Sequence, residues 1–153
     1  MQRSLLKSIL GVAIAVAAFA ADKTLGTWKL NLEKSHFSPT APVRSLTISR
    51  EQSDGGVKTT TTGEQLDGTA IHASYTAKYD GKEYDVTGAP YDTISFKQLN
   101  AHTFTFAQKK KGGTYNVTGR SAISPDGKTM TNTVNGTNAQ GDTYSATMVW
   151  DKQ

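Results

Sequence analysis

The chain of 153 residues contains no cysteine, so it has neither a disulfide nor a thiol nucleophile, and a cysteine-linked lipid anchor is excluded. Histidine is scarce. His36, His72 and His102 are the three present, and no two stand at an H-x-H or H-x-x-x-H spacing. A metal ion is thereby denied its usual sequence-local ligand pair. No G-x-S-x-G elbow, Walker loop or zinc motif occurs. These absences point to no cofactor, no metal and no catalytic constellation.

Long apolar runs are equally scarce. The uncharged stretch Ile9–Ala20 stands alone, and it falls short of the roughly 20 residues a membrane-spanning helix needs. It follows Arg3 and Lys7 and ends in Ala18-Phe19-Ala20, the small-residue spacing of a signal-peptidase site. A membrane anchor would instead carry a basic stop-transfer flank. Residues 1–20 therefore read as a signal peptide and 21–153 as one domain, exported to a periplasmic or extracellular location, without an integral membrane segment. Arg3 and Lys7 are the only charges in the leader, so its removal lowers the formal charge from +4 to +2. The basic balance then implies no strong field for nucleic acid.

What the chain has in quantity is alternation. Ile71, Ala73, Tyr75, Ala77 and Tyr79 interleave with His72, Ser74, Thr76 and Lys78. Trp28, Leu30 and Leu32 repeat the period of two, as do Leu46 with Ile48, Ile94 with Phe96, Phe104 with Phe106, Tyr115 with Val117, and Tyr144 through Trp150. Such a period marks half-buried strands. Twenty-two threonines reinforce it, because β-branched side chains suit a pleated surface. Across Thr59-Thr60-Thr61-Thr62 the alternation cannot say which face is inside.

Turn signals separate the strands at short intervals: Asp54-Gly55-Gly56, Asp67-Gly68, Asp80-Gly81, Asn100-Ala101, Lys111-Gly112-Gly113, Asp126-Gly127 and Gln140-Gly141-Asp142. The prolines at 39, 42, 90 and 125 all fall between alternating segments. The expected fold is all-β, with eight to ten antiparallel strands in sequential hairpins. A meander of that length must close or leave exposed edges, which makes an up-and-down barrel the expected architecture.

Gly26-Thr27-Trp28, opening the first strand, resembles the G-x-W signature of the lipocalin family. The longer pattern Gly26–Asn31, Lys34-Ser35 and Phe37-Ser38-Pro39 is similar to small exported bacterial proteins described as lipocalin-like, of calycin type. Tyr79-Asp80-Gly81-Lys82, Val86-Thr87-Gly88, Asp126–Met130 and Gly136-Thr137-Asn138 extend that similarity over nearly all of residues 21–153. The resemblance implies the barrel and export, and it brings no established activity. The Thr-Asp-Tyr element of true lipocalins is missing, and Trp150 leaves no room for their helix after the barrel. By the resemblance Trp28 plugs the closed barrel end against a basic side chain, for which Arg120 is the candidate.

The remaining chemistry-bearing residues read as surface. His72 alternates with Ile71 and Ala73 and so faces away from the apolar side. Lys109-Lys110-Lys111 runs into Gly112-Gly113 as a solvated hairpin tip, which argues against a single-strand nucleic-acid groove despite Phe104 and Phe106 nearby. The aromatic set is the functional lead. Tyr75, Tyr79, Phe96, Phe104, Phe106, Tyr115 and Met148 are the candidate ligand lining, with Ala73, Ala77 and Ala146 leaving space between them. The leading expectation is a non-enzymatic barrel that binds a small apolar or amphipathic molecule. The alternatives are a filled barrel serving as a structural or interaction protein of the cell envelope, and a barrel isomerase or cyclase. The last needs an inward titratable group beside a cavity.

Overall fold

A computed structural model describes residues 22–153, and the expected signal peptide lies outside them. Among the described residues ten strands follow one another without a helix: β1 (Gly26–Ser38), β2 (Val43–Ser53), β3 (Gly56–Gln65), β4 (Ala70–Ala77), β5 (Asp80–Thr87), β6 (Thr93–Asn100), β7 (Thr103–Lys109), β8 (Asn116–Ile123), β9 (Thr129–Thr137) and β10 (Thr143–Lys152). Each pairs antiparallel with its sequence neighbours, and β1 closes on β10. The result is a closed up-and-down barrel. Closure satisfies the edge groups that an open meander would expose.

Meander parity sorts the connections between two ends. The β2–β3, β4–β5, β6–β7 and β8–β9 turns share one end with Asp22–Leu25 and the last residues of β10. We call this the proximal end. The remaining five connections form the distal end.

The inward faces make two apolar groups. One gathers Trp28, Leu30, Val43, Phe104, Ile123, Met130 and Trp150. The other gathers Ala77, Val86, Ile94, Phe96, Phe106, Val117, Val134 and Ala146. The threonine run is resolved by register: Thr59 pairs with Arg50 and Tyr75 and is 1% exposed, so Thr59 and Thr61 face inward.

Two sequence expectations need correction. Leu32 does not share the inward face of Trp28 and Leu30; it is 37% exposed. Between Asn31 and His36, β1 advances five residues while β10 advances only two, from Val149 to Thr147. Ser35 holds this bulge, its hydroxyl donating to Asn31 O at 2.6 Å and accepting from Val149 N at 2.9 Å. The extra residues break the parity, and Leu32 turns outward.

Asp80-Gly81 is not the hairpin turn. The β4–β5 corner falls at Lys78-Tyr79, and Asp80-Gly81 forms a bulge at the start of β5, with Gly81 at φ +78°. The Asp80 carboxylate accepts from Lys82 N at 3.0 Å and from the Tyr84 hydroxyl at 2.7 Å. These local bonds occupy the start of β5, whose partner is β6. Only Ser74↔Thr87 and Tyr75↔Val86 tie β5 to β4. This is the thinnest seam in the barrel wall.

Candidate ligand-binding site

A pocket of about 330 Å³ opens at the proximal end, beside the β4–β5 corner. Its walls include Val57, Ala77, Tyr79 and Phe104, and the polar side chains of Asp22, Lys23, Gln52, Lys78 and Gln98 line it as well. Val57 and Ala77 are register partners on β3 and β4 and form its apolar side. Tyr79 and Phe104 pack ring against ring on its wall, centroids 4.7 Å apart.

Tyr79 reaches inward because it stands at the corner between β4 and β5. Its hydroxyl meets three groups: Thr24 Oγ1 at 2.7 Å, Asp22 Oδ2 at 3.0 Å and Arg50 Nη2 at 3.2 Å. A phenol has one proton to give. Tyr79 donates to the carboxylate, so it accepts from Arg50, and Thr24 must be the donor of the third bond. Burial pushes the Tyr79 hydroxyl above its ordinary value, with the Arg50 cation opposing that rise. The residues Asp22–Leu25 are thus strapped over the proximal end. Trp28 adds a fourth tie, its indole N–H donating to Thr24 O at 2.8 Å.

Beneath the Val57–Ala77 row lies a more polar one. Arg50, Thr59 and Tyr75 are consecutive partners across β2, β3 and β4. Arg50 is 9% exposed, and its guanidinium carbon lies 5.6 Å from the centroid of the Phe96 ring. Its Nε has no hydrogen-bond partner, and neither does the hydroxyl of Thr59 beside it. Among the described residues the four ion pairs are Arg44–Glu64, Lys58–Glu51, Lys109–Glu83 and Lys110–Asp92, all on the outside of the barrel.

Of the candidate lining, Tyr79 and Phe104 stand on the pocket wall. Tyr75, Phe96, Phe106 and Met148 lie deeper, in or against the apolar groups, with Tyr75–Phe96 and Phe96–Phe106 centroids 5.9 and 6.0 Å apart. Tyr115 is at the distal end, stacked on Tyr91 at 5.3 Å and donating to Gln108 Oε1 at 3.2 Å. Burial pushes both hydroxyls well above the ordinary tyrosine value.

Trp28 is fully buried at the proximal end. Arg120 is not its partner: it pairs with Thr105 and Thr133 on the outer face of β8 and is exposed. The cation over the indole is Lys152, its Nζ 5.2 Å from the ring centroid. Closure of β1 on β10 makes Trp28 and Lys152 register partners, which gives Lys152 the position. His72 is exposed on the outside of β4. Among the described residues no three His, Asp or Glu side chains are grouped as metal ligands would be.

Sequence alternation alone does not single out Arg50, yet a signal exists. Leu46, Ile48 and Arg50 keep one parity along β2, which puts the arginine on the apolar face. A charge at that position usually reads as the end of the strand.

No protein-family model matches the sequence, and no curated protein matches it. Among solved structures, zebrafish ileal bile acid-binding protein in complex with cholic acid aligns with a TM-score of 0.49 at 13% identity. The alignment covers 86% of this chain and 99% of that one. A likeness at that level carries no functional weight.

Proposed function

We propose that this protein is a non-enzymatic barrel, exported from its cell, that binds a small apolar or amphipathic molecule at its proximal end. The carrying observation is the pocket of about 330 Å³ with Val57, Ala77, Tyr79 and Phe104 on its walls. That volume falls within the range of small-molecule sites, roughly 300–1,000 Å³. Ligand carbon would be buried against the apolar and aromatic wall, with the Lys23, Gln52, Lys78 and Gln98 side chains available to a polar end.

Two tryptophans near this end supply the readout. Titrating the protein with 1-decanol should change the emission of Trp28 and Trp150 saturably. Gln98→Phe, placed at the exposed mouth to close it, should abolish the response. A linear response without saturation, or one indifferent to Gln98→Phe, would count against the proposal.

The filled-barrel alternative draws on a specific observation, the mutual packing of Tyr75, Phe96 and Phe106 in the interior. An interaction protein should also show an apolar surface patch. Among the described residues the exposed large apolar side chains are Leu32, Leu66 and Leu99. Leu66 and Leu99 stand at opposite ends of the barrel, and Leu32 stands on the β1 bulge, so they do not compose one face.

A further inference from the structure

We propose that the molecule bound at the proximal end is an acid, its anionic head seated against Arg50 Nε and the Thr59 hydroxyl and its carbon against Val57, Ala77 and Phe104. This rests on the binding function proposed above and names the chemical class of the ligand.

Arg50 carries a permanent charge into the interior, and a buried charge without a partner is among the most costly arrangements in a fold. Its guanidinium is held from two sides, by the Phe96 ring face and by the Tyr79 hydroxyl. Neither is an anion. No carboxylate oxygen among the described residues lies within 4.0 Å of it. Residues 1–21 contain no aspartate or glutamate, so their side chains have no carboxylate to offer. The nearest acid in the network, Asp22, reaches Arg50 only through Tyr79 and is already bonded to Tyr79 and Thr24 N.

Arg50 Nε and Thr59 Oγ1 are the two buried groups left without partners on this row. Arg50 and Thr59 are opposite each other across β2 and β3, which brings their side chains to the same inner face. An N–H donor and an O–H donor, both unpartnered on one inner face, suit an oxyanion, because charge-assisted hydrogen bonds of this kind are about twice as strong as neutral ones. Tyr79 links this row to the pocket, touching Arg50 with its hydroxyl while its ring stands on the wall.

The test compares decanoate with 1-decanol, equal in chain and different in charge. Binding is read by tryptophan emission and by the carboxyl carbon resonance of labelled decanoate. The wild-type protein should prefer decanoate by about tenfold or more, as one charge-assisted bond would give. Arg50→Met should erase that preference while decanol still binds saturably, which also shows that the variant is folded. Thr59→Val should lower decanoate affinity several-fold and decanol affinity by less. Asp22→Asn should raise decanoate affinity by removing a nearby negative charge.

If Arg50→Met fails to fold, the wild-type preference and Thr59→Val decide the matter between them. Equal affinity of the wild type for acid and alcohol would overturn the anion seat and leave the binding function standing. Failure of both ligands to bind would overturn both.

Discussion

The Arg50 guanidinium donates to the Tyr79 hydroxyl across 3.2 Å, joining the interior of β2 to the β4–β5 corner. Through Tyr79 the same hydrogen-bonded chain reaches Asp22 and Thr24, and through Thr24 it reaches the Trp28 indole. One phenol therefore fastens the chain segment that covers the proximal end. Tyr79→Phe leaves the ring packing on Phe104 and removes all three hydroxyl bonds. We expect a loss of about 1–3 kcal/mol, the cost of leaving buried polar groups unsatisfied. The urea midpoint measures it, and amide exchange at Thr24 and Leu25 should accelerate more than exchange in β9.

Lys152 and Arg120 make a contrasting pair. Lys152→Met removes the cation over Trp28 while keeping most of the stem, and should cost about 0.5–1 kcal/mol with a shift in Trp28 emission. Arg120→Ala, on the outer face of β8, should stay within about 0.5 kcal/mol of the parent protein. Thermal denaturation of the two variants side by side checks the assignment. Equal effects would deny Lys152 its role.

Gly119 is needed for space. Its φ is not in the left-handed region, so an alanine there meets no backbone strain. The Phe106 ring, on the neighbouring strand, lies over the glycine where a Cβ would be. Gly119→Ala should cost about 1–3 kcal/mol through displacement of that ring. In a Phe106→Leu background the penalty should shrink, and a double-mutant cycle on denaturation free energies reads the difference.

Alkaline pH should weaken the fold. Burial raises the hydroxyls of Tyr79, Tyr91, Tyr115 and Tyr144 above their ordinary value. Above about pH 10 the unfolded chain releases these protons while the folded one retains them, so stability falls as pH rises. Below that point both states keep the protons and the contribution is fully present. Urea midpoints should hold steady from about pH 7 to 9 as far as these tyrosines are concerned, and decline beyond about 10. Phenolate absorbance of the folded protein should lag behind that of the unfolded chain.

Much of the barrel is legible in the sequence because β4, β7 and β10 alternate cleanly and glycine marks most of the corners. Leu32 and Asp80-Gly81 misread because a bulge shifts parity without changing composition: Ser35 and Asp80 satisfy the backbone locally, and only the register with β10 or β6 shows it. The cation over Trp28 depends on the first strand closing on the last, a contact between residues far apart in the chain. Local periodicity does not carry that information, although the opposite parity of Arg120 to Val117 and Ile123 within β8 does mark its outward face. Arg50 is the instructive case. Its parity with Leu46 and Ile48 is plain, and its charge argues the other way; the wall it belongs to decides, and that wall needs β3 and β4 in place.

The most direct measurement is a map of backbone amide shifts as 1-decanol is added to isotopically labelled protein. Binding at the proximal end predicts saturable shifts concentrated at Val57, Ala77, Tyr79, Gln98 and Phe104, with Tyr91 and Tyr115 at the distal end unmoved. Shifts that are absent, that never saturate, or that centre on the distal end would contradict the account.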